Sequence, residues 1–176
     1  MPENNEFLTI PSPLGWISLV VGGDILKQLS IGHKSRRDAE SAVLPLFQAE
    51  AAAGRCAAAL LERLEAYLSG EVVDFRDVAI DPGPVRPFAR RVIDACREIN
   101  YGRTATYGEL AARAGSPNAA RAVGTCMAGN RICLVIPCHR VVRADGRPGE
   151  FSSVGGSALK TRILALEADA AGAKRG

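Results

Sequence analysis

The run Asp81-Pro82-Gly83-Pro84 constrains the fold of this 176-residue chain more than any other stretch. Its two prolines lack backbone donors and fix φ, so neither a helix nor a strand continues through it. It divides the chain into a first half over residues 1–80, a linker over 81–87 and a second half over 88–176. In the first half, residues 7–10 and 16–21 are short apolar runs. The second run is followed by Gly22-Gly23-Asp24 and then by another apolar run over 25–31, which reads as a hairpin. Over residues 51–68, Leu60, Leu61, Leu64 and Leu68 recur at helical spacing with Glu62, Arg63 and Glu65 between them, and Gly70 is a natural stop. The expectation is a sheet with a helix laid on it.

The second half reads as mostly helical. Phe88, Val92, Ile93, Cys96 and Ile99 share one face of a helix that Tyr101-Gly102 ends. Thr106-Tyr107-Gly108-Glu109 fits a capping box opening a short helix through Ala114. Gly115 suits the positive φ of a helix end, Ser116 can cap the next helix and Pro117 can take its first position. Two short helices joined so tightly suggest a helix-turn-helix. In the second, over 118–127, Ala119, Ala120, Ala122 and Gly124 surround Arg121. Such small residues fit close approach to DNA, and equally fit close packing against a neighbouring helix.

Composition narrows the class. The chain is 47% hydrophobic and 23% charged, as soluble globular proteins are, and its 5% aromatic content leaves Leu, Val, Ile and Ala to supply the core. No apolar run approaches the roughly 18 residues of a bilayer span, and the opening Met1-Pro2-Glu3-Asn4-Asn5-Glu6 lacks the features of a signal peptide. A cytoplasmic protein with no membrane partner is expected. Five cysteines without a Cys-x-x-Cys pair, beside only His33 and His139, argue against a disulfide framework and a structural zinc site. No metal and no cofactor are therefore expected, and His33 has no evident co-ligands. The net charge of +3 is small. Residues 116–148, however, hold Arg121, Arg131, Arg140, Arg143 and Arg147 against the single acid Asp145, an arrangement suited to a polyanion or to a solvated loop.

The chemistry concentrates at Cys138. An apolar, strand-like run from Ile132 to Ile136 delivers a cysteine beside His139 and Arg140, an electropositive setting that would lower a thiol from its usual value of about 8.5. Cys56, Cys96, Cys126 and Cys133 read instead as inert core residues. Asn130 reads as a helix C-cap, Tyr107 as a helix-start tyrosine on the core rim and Glu167 as an exposed helix residue.

Ile136-Pro137-Cys138-His139-Arg140-Val141 resembles the active-site motif of the O6-alkylguanine-DNA alkyltransferases, or methylated-DNA-protein-cysteine methyltransferases. Pro87-Phe88, Tyr101-Gly102, Thr106 to Ala111, Asn118 to Gly124, Gly129-Asn130, Gly155-Gly156 and Lys160 to Glu167 extend the resemblance in order. It implies an α+β fold: a small ribonuclease-H-like sheet and helix domain, then a mostly helical winged-helix-like domain carrying the helix-turn-helix. It also implies a monomer that acts on double-stranded DNA containing O6-alkylguanine, with O4-alkylthymine a further candidate. The damaged base would be flipped out, and Cys138 would take its alkyl group irreversibly, in one turnover. His139 would serve as a water-mediated base oriented by Glu167, Tyr107 would donate to the departing guanine and Asn130 would hold the active-site turn. Arg121 would intercalate, with Ala119, Ala120, Ala122 and Gly124 letting its helix sit deep in the minor groove, while Met127, Val141 and Phe151 would form the base pocket.

The chain departs from the pattern in three places. Arg131 stands where proline is common, Phe151 where many members carry tyrosine, and the Ser152-Ser153-Val154 loop is a couple of residues longer. The zinc ligands found in the first half of some members are missing. Two other functions fit parts of the sequence. A lesion-binding relative without a nucleophile is opposed by Cys138 itself, and a cysteine hydrolase built on Cys138 and His139 would leave the helix pair without a purpose.

Overall fold

A computed structural model of the chain describes residues 5–47, 49–51 and 55–173. Residues 1–4 and the Cys56 side chain, on which sequence expectations bear, lie outside the described part. The first half opens with the strands β1 (Asn5–Ile10), β2 (Trp16–Gly22) and β3 (Ile25–His33). Gly22 pairs with Ile25 across the two-residue turn Gly23-Asp24, so the expected hairpin forms. A short helix α1 (Arg36–Val43) follows, without a counterpart among the sequence expectations; Ser35 caps it by accepting from the Asp38 amide. The strand β4 (Ala49–Ala51) then adds parallel to β1, giving the order β3-β2-β1-β4. Helix α2 (Arg55–Leu68) starts later than the sequence suggested, because Ala51 belongs to β4. It lays Leu60, Leu64, Tyr67 and Leu68 into the core.

Helix α3 (Pro87–Arg97) buries Val92, Ile93 and Cys96 on the expected face. Gly102, at φ +68, makes the turn beyond it. The strand β5 (Ala105–Thr106) leads into α4 (Tyr107–Arg113), whose capping box between Thr106 and Glu109 is complete in both directions. Helix α5 (Ala120–Ala128) departs from the expectation: Ser116 does not cap it, and its N-cap is Ala119. The Ala119 amide bonds to the Ser116 carbonyl at 2.9 Å, closing a separate turn over Pro117 and Asn118. Proline suits the second position of a turn as well as the first of a helix, and here the turn wins. The strand β6 (Val141–Val142) pairs parallel with β5, and α6 (Gly156–Ala173) completes the chain.

The result is a mixed α/β fold with a small, mainly antiparallel sheet and six α-helices among the described residues. The outer edge of β3 joins its two parts. Leu26 exchanges backbone bonds with Ala79 and Asp81, while Leu29 accepts from Cys133 and donates to Arg131. The core runs on without a break from Leu29, Leu64 and Tyr67 to Val92, Ile132 and Ile163. No helix among the described residues is long and apolar enough to cross a membrane.

Candidate active site

The segment before Cys138 is not the strand its apolar character suggested. Leu134 takes a φ of +69, and the amides of Val135 and Ile136 fold back onto the carbonyls of Cys133 and Ile132. Five consecutive apolar residues here signal burial rather than extension. Asn130 organises the turn. Its Oδ1 accepts from the Ile132 amide at 2.9 Å, and its Nδ2 donates to the Ile136 carbonyl and the Cys138 Sγ, both at 3.0 Å. Gly129, not Asn130, is the C-cap of α5. Cys138, His139 and Arg140 then form a buried 3-10 turn.

His139 is fully buried, with Nε2 2.8 Å from Glu167 Oε1. Glu167, expected to be exposed, is 1% exposed. On α6, Leu159, Lys160, Ile163 and Glu167 repeat at helical spacing and all face inward, so a lysine and a glutamate at core positions were the signal available. Arg140 wraps the same carboxylate through Nε and Nη2 and donates Nη1 to the Ile99 carbonyl at 2.6 Å. The Gly102 amide adds a bond to Oε2 at 3.0 Å. Burial works to raise the Glu167 carboxyl, but His139 and the Arg140 guanidinium outweigh it and hold the group far below the usual carboxylate range. Burial lowers the His139 pKa, and Glu167 only partly opposes it. His139 is therefore neutral near pH 7. Facing a carboxylate, Nε2 carries the proton, which leaves Nδ1 as a bare acceptor with no partner among the described residues.

The expected lowering of the Cys138 thiol does not occur. Its pKa is raised well above the ordinary value by the Cys133 thiol first and by burial second, against the Asn130 amide. Arg140, expected to help, spends its guanidinium on Glu167. Cys133 is the more acidic partner, drawn down to about 7 by hydrogen bonds from Cys138, Ser153 and Ser152. Ser153 Oγ lies 3.0 Å from Cys133 Sγ, while Ser152 Oγ lies 3.6 Å from Cys133 Sγ and 4.0 Å from Cys138 Sγ. The loop that looked too long thus supplies hydroxyls to both sulfurs.

Tyr107 opens α4 beside this cluster and is half-buried. A Cβ at Gly149 would overlap its hydroxyl, so only glycine leaves room for the ring there. Lys160 is fully buried, with Nζ 3.5 Å from the Tyr107 hydroxyl and 3.3 Å from the Glu150 carbonyl. Tyr107 also lines an open groove of about 570 Å³ together with Ala120, Arg121, Gly124, Arg143 and Gly149. Ala119 precedes that stretch as the N-cap of α5, and Ala122 lies within it, exposed. Met127, Val141 and Phe151, expected around a base, are buried beneath the surface and do not line the groove.

The arginine-rich segment divides. Arg121 and Arg143 line the groove, Arg140 is buried, Arg147 pairs with Asp145, and Arg131 donates to the Pro82 carbonyl. His33 bonds to Ser30 Oγ at 2.7 Å, and no group of three or more His, Cys, Asp or Glu side chains that could hold a metal occurs among the described residues.

The fold and this cysteine-centred site define a class, and comparison with known proteins identifies it. The sequence model for the 6-O-methylguanine DNA methyltransferase DNA binding domain matches residues 87–169. The methylated-DNA-protein-cysteine methyltransferase of Mycolicibacterium paratuberculosis is 36% identical over 162 residues, 92% of each chain. The crystal structure of Mycobacterium tuberculosis OGT in complex with DNA superposes with a TM-score of 0.76 at 35% identity, covering 94% of each chain. The O6-methylguanine-DNA methyltransferase of the archaeon Pyrococcus kodakaraensis shares the fold at 21% identity, with a TM-score of 0.72 over 93% of this chain and 98% of that one. The chain belongs to the methylated-DNA-protein-cysteine methyltransferase family.

Proposed function

We propose that this protein repairs DNA by direct reversal, moving a methyl or other alkyl group from O6 of guanine to Cys138 in a single irreversible turnover. The observation that carries this reading is the buried Cys138 tied to Asn130, followed directly by a neutral His139 backed by Glu167. A thiol held protonated by its surroundings needs a base at the moment of attack, and the bare Nδ1 of His139 suits that role through a bridging water. As the proton leaves, sulfur displaces at the alkyl carbon. The carbon–oxygen bond breaks, its electron pair stays on guanine, and Tyr107 donates to the departing base. A high pKa also makes the sulfur, once deprotonated, a stronger nucleophile than an acidic thiolate would be. The product is a thioether with no route back, so one molecule repairs one lesion. No metal or cofactor enters.

Double-stranded DNA carrying O6-alkylguanine is the partner in this reading, with no membrane and a monomeric protein in the cytoplasm. Helices α4 and α5 serve as the helix-turn-helix of a winged-helix-like domain over 88–176. Residues 1–80 form a ribonuclease-H-like structural domain and 81–87 the linker. Ala119, Ala120, Ala122 and Gly124 let α5 enter the minor groove, and Arg121 fills the gap left by the flipped base. Met127, Val141 and Phe151 line the base pocket once the base is seated.

Intact-mass measurement after incubation with O6-methylguanine duplex DNA tests the whole reading. One added methyl mapping to Cys138, and none on Cys138→Ser, is the expected result. Unchanged mass with tight binding would point instead to a lesion-binding protein, and repeated turnover of an ester or amide to a hydrolase.

A further inference from the structure

The groups that act on Cys138 in this reading all come from the second half, yet the first half reaches the same cluster. Tyr67, near the end of α2, is fully buried, and its hydroxyl donates to Glu167 Oε1 at 2.7 Å across 100 positions of sequence. The same hydroxyl lies 3.4 Å from His139 Nε2. The ring is fixed edge-on to Tyr101, with centroids 5.6 Å apart, and tilted against Phe75 at 5.7 Å. We infer that Tyr67 is a positioning residue for the base of Cys138, through which the first half sets the orientation and proton affinity of His139. The inference rests on the alkyl-transfer reading above.

Glu167 Oε1 is shared by three residues: Tyr67 through its hydroxyl, His139 through Nε2 at 2.8 Å, and Arg140 through Nη2 at 2.9 Å and Nε at 3.2 Å. A carboxylate oxygen committed to more donors binds each of them less strongly. This division matters to the imidazole. A carboxylate free to concentrate on His139 would favour imidazolium, which has no lone pair left for the proton of Cys138. The other charged groups around His139 are Arg140 on the same turn and Lys160 on α6, and both disfavour imidazolium. Tyr67 works in the same direction from α2, by occupying Glu167. Burial and the neighbouring carboxylate keep its own phenol protonated, so it remains a donor over the working range. Its hydroxyl also closes the space beside Nε2, which favours the ring orientation with Nε2–H toward Glu167.

Protonation of His139 removes the base, so the alkylation rate falls as pH drops through its pKa. Loss of the Tyr67 hydroxyl raises that pKa and moves the acid limb to higher pH. The experiment follows benzyl transfer from free O6-benzylguanine by intact mass, on the full chain and on Tyr67→Phe, between about pH 5 and about pH 8. In Tyr67→Phe the acid limb is expected to move upward, so that the rate near its midpoint drops about threefold to tenfold while the alkaline plateau stays within about twofold. An acid limb identical to wild type overturns the inference, and so does a lowered plateau with an unmoved limb, the mark of a purely structural role. A wild-type chain that gains no benzyl group sinks the alkyl-transfer reading and the inference with it. Should Tyr67→Phe fail to fold, proton NMR of the wild type decides. A slowly exchanging Tyr67 hydroxyl proton close to the His139 ring, with His139 in its Nε2–H tautomer, supports the inference, and the Nδ1–H tautomer overturns it.

Discussion

At the scale of single residues, Cys138 occupies a setting that resists its own ionisation. The neighbouring Cys133 thiol raises its pKa, and apolar packing adds to the shift by costing the thiolate its solvation. The Cys138 thiol is thus protonated at rest. Removing Cys133 has a definite sign. In Cys133→Ala the largest influence raising Cys138 is gone, so the pKa of Cys138 falls and its labelling by a small alkylating reagent begins at lower pH. Mass spectrometry of the Cys138 peptide across a pH series reads this directly, and a limb at the wild-type position would contradict the paired-thiol account. Proximity in sequence is a poor guide to the surroundings of this residue. His139 and Arg140 are adjacent to Cys138, but a 3-10 turn sends both side chains to Glu167, and the group that sets the thiol is five residues upstream.

At the scale of elements, α5 presents Ala120, Arg121 and Gly124 to a groove whose other wall includes Tyr107. A Cβ at Gly124 would sit 4.0 Å from the Tyr107 ring, in ordinary contact, so small residues here keep the groove open rather than relieve a clash. Arg121→Ala should leave benzyl transfer from free O6-benzylguanine at the wild-type rate and slow repair of a methylated duplex by about tenfold or more, since flipping a base costs a few kcal/mol that an inserted side chain offsets. Single-turnover rates on the two substrates decide this, and equal loss on both would remove the intercalating role from Arg121. Elements built from local rules are legible in the amino-acid sequence. The Thr106–Glu109 capping box, the Gly23-Asp24 turn and the apolar face of α3 each depend on residues within a few positions of one another. The start of α5 is not legible, because Pro117 satisfies a turn and a helix equally. Neither is the fold of residues 132–136, whose apolar character reports burial without its geometry, nor the role of Tyr67, whose partner lies on the last helix.

At the scale of the whole molecule, Glu167 is the point where the two halves and the Cys138–Arg140 turn meet. Tyr67 comes from α2, Gly102 from the turn after α3, His139 and Arg140 from the 3-10 turn, and all of them bond to one buried carboxylate on α6. Gly32 of β3 lies against Leu159 on the same helix so closely that an added Cβ would overlap it. The network therefore bears on stability as well as chemistry. Glu167→Gln keeps the shape but leaves the buried guanidinium of Arg140 without its counter-charge, and breaking a buried pair in this way costs about 3–5 kcal/mol. The pH dependence follows from the direction of the Glu167 shift. Its carboxyl is held far below the usual range in the folded chain, so its contribution is complete above the unfolded value of about 4.3 and is lost only as pH falls through the much lower folded value. Urea unfolding of wild type and Glu167→Gln should accordingly show a gap that does not narrow from neutral pH down to about pH 5 and closes only in stronger acid. A gap that closes near pH 6, well above the range in which the folded Glu167 carboxyl titrates, would contradict the assignment of this stability to its buried charge.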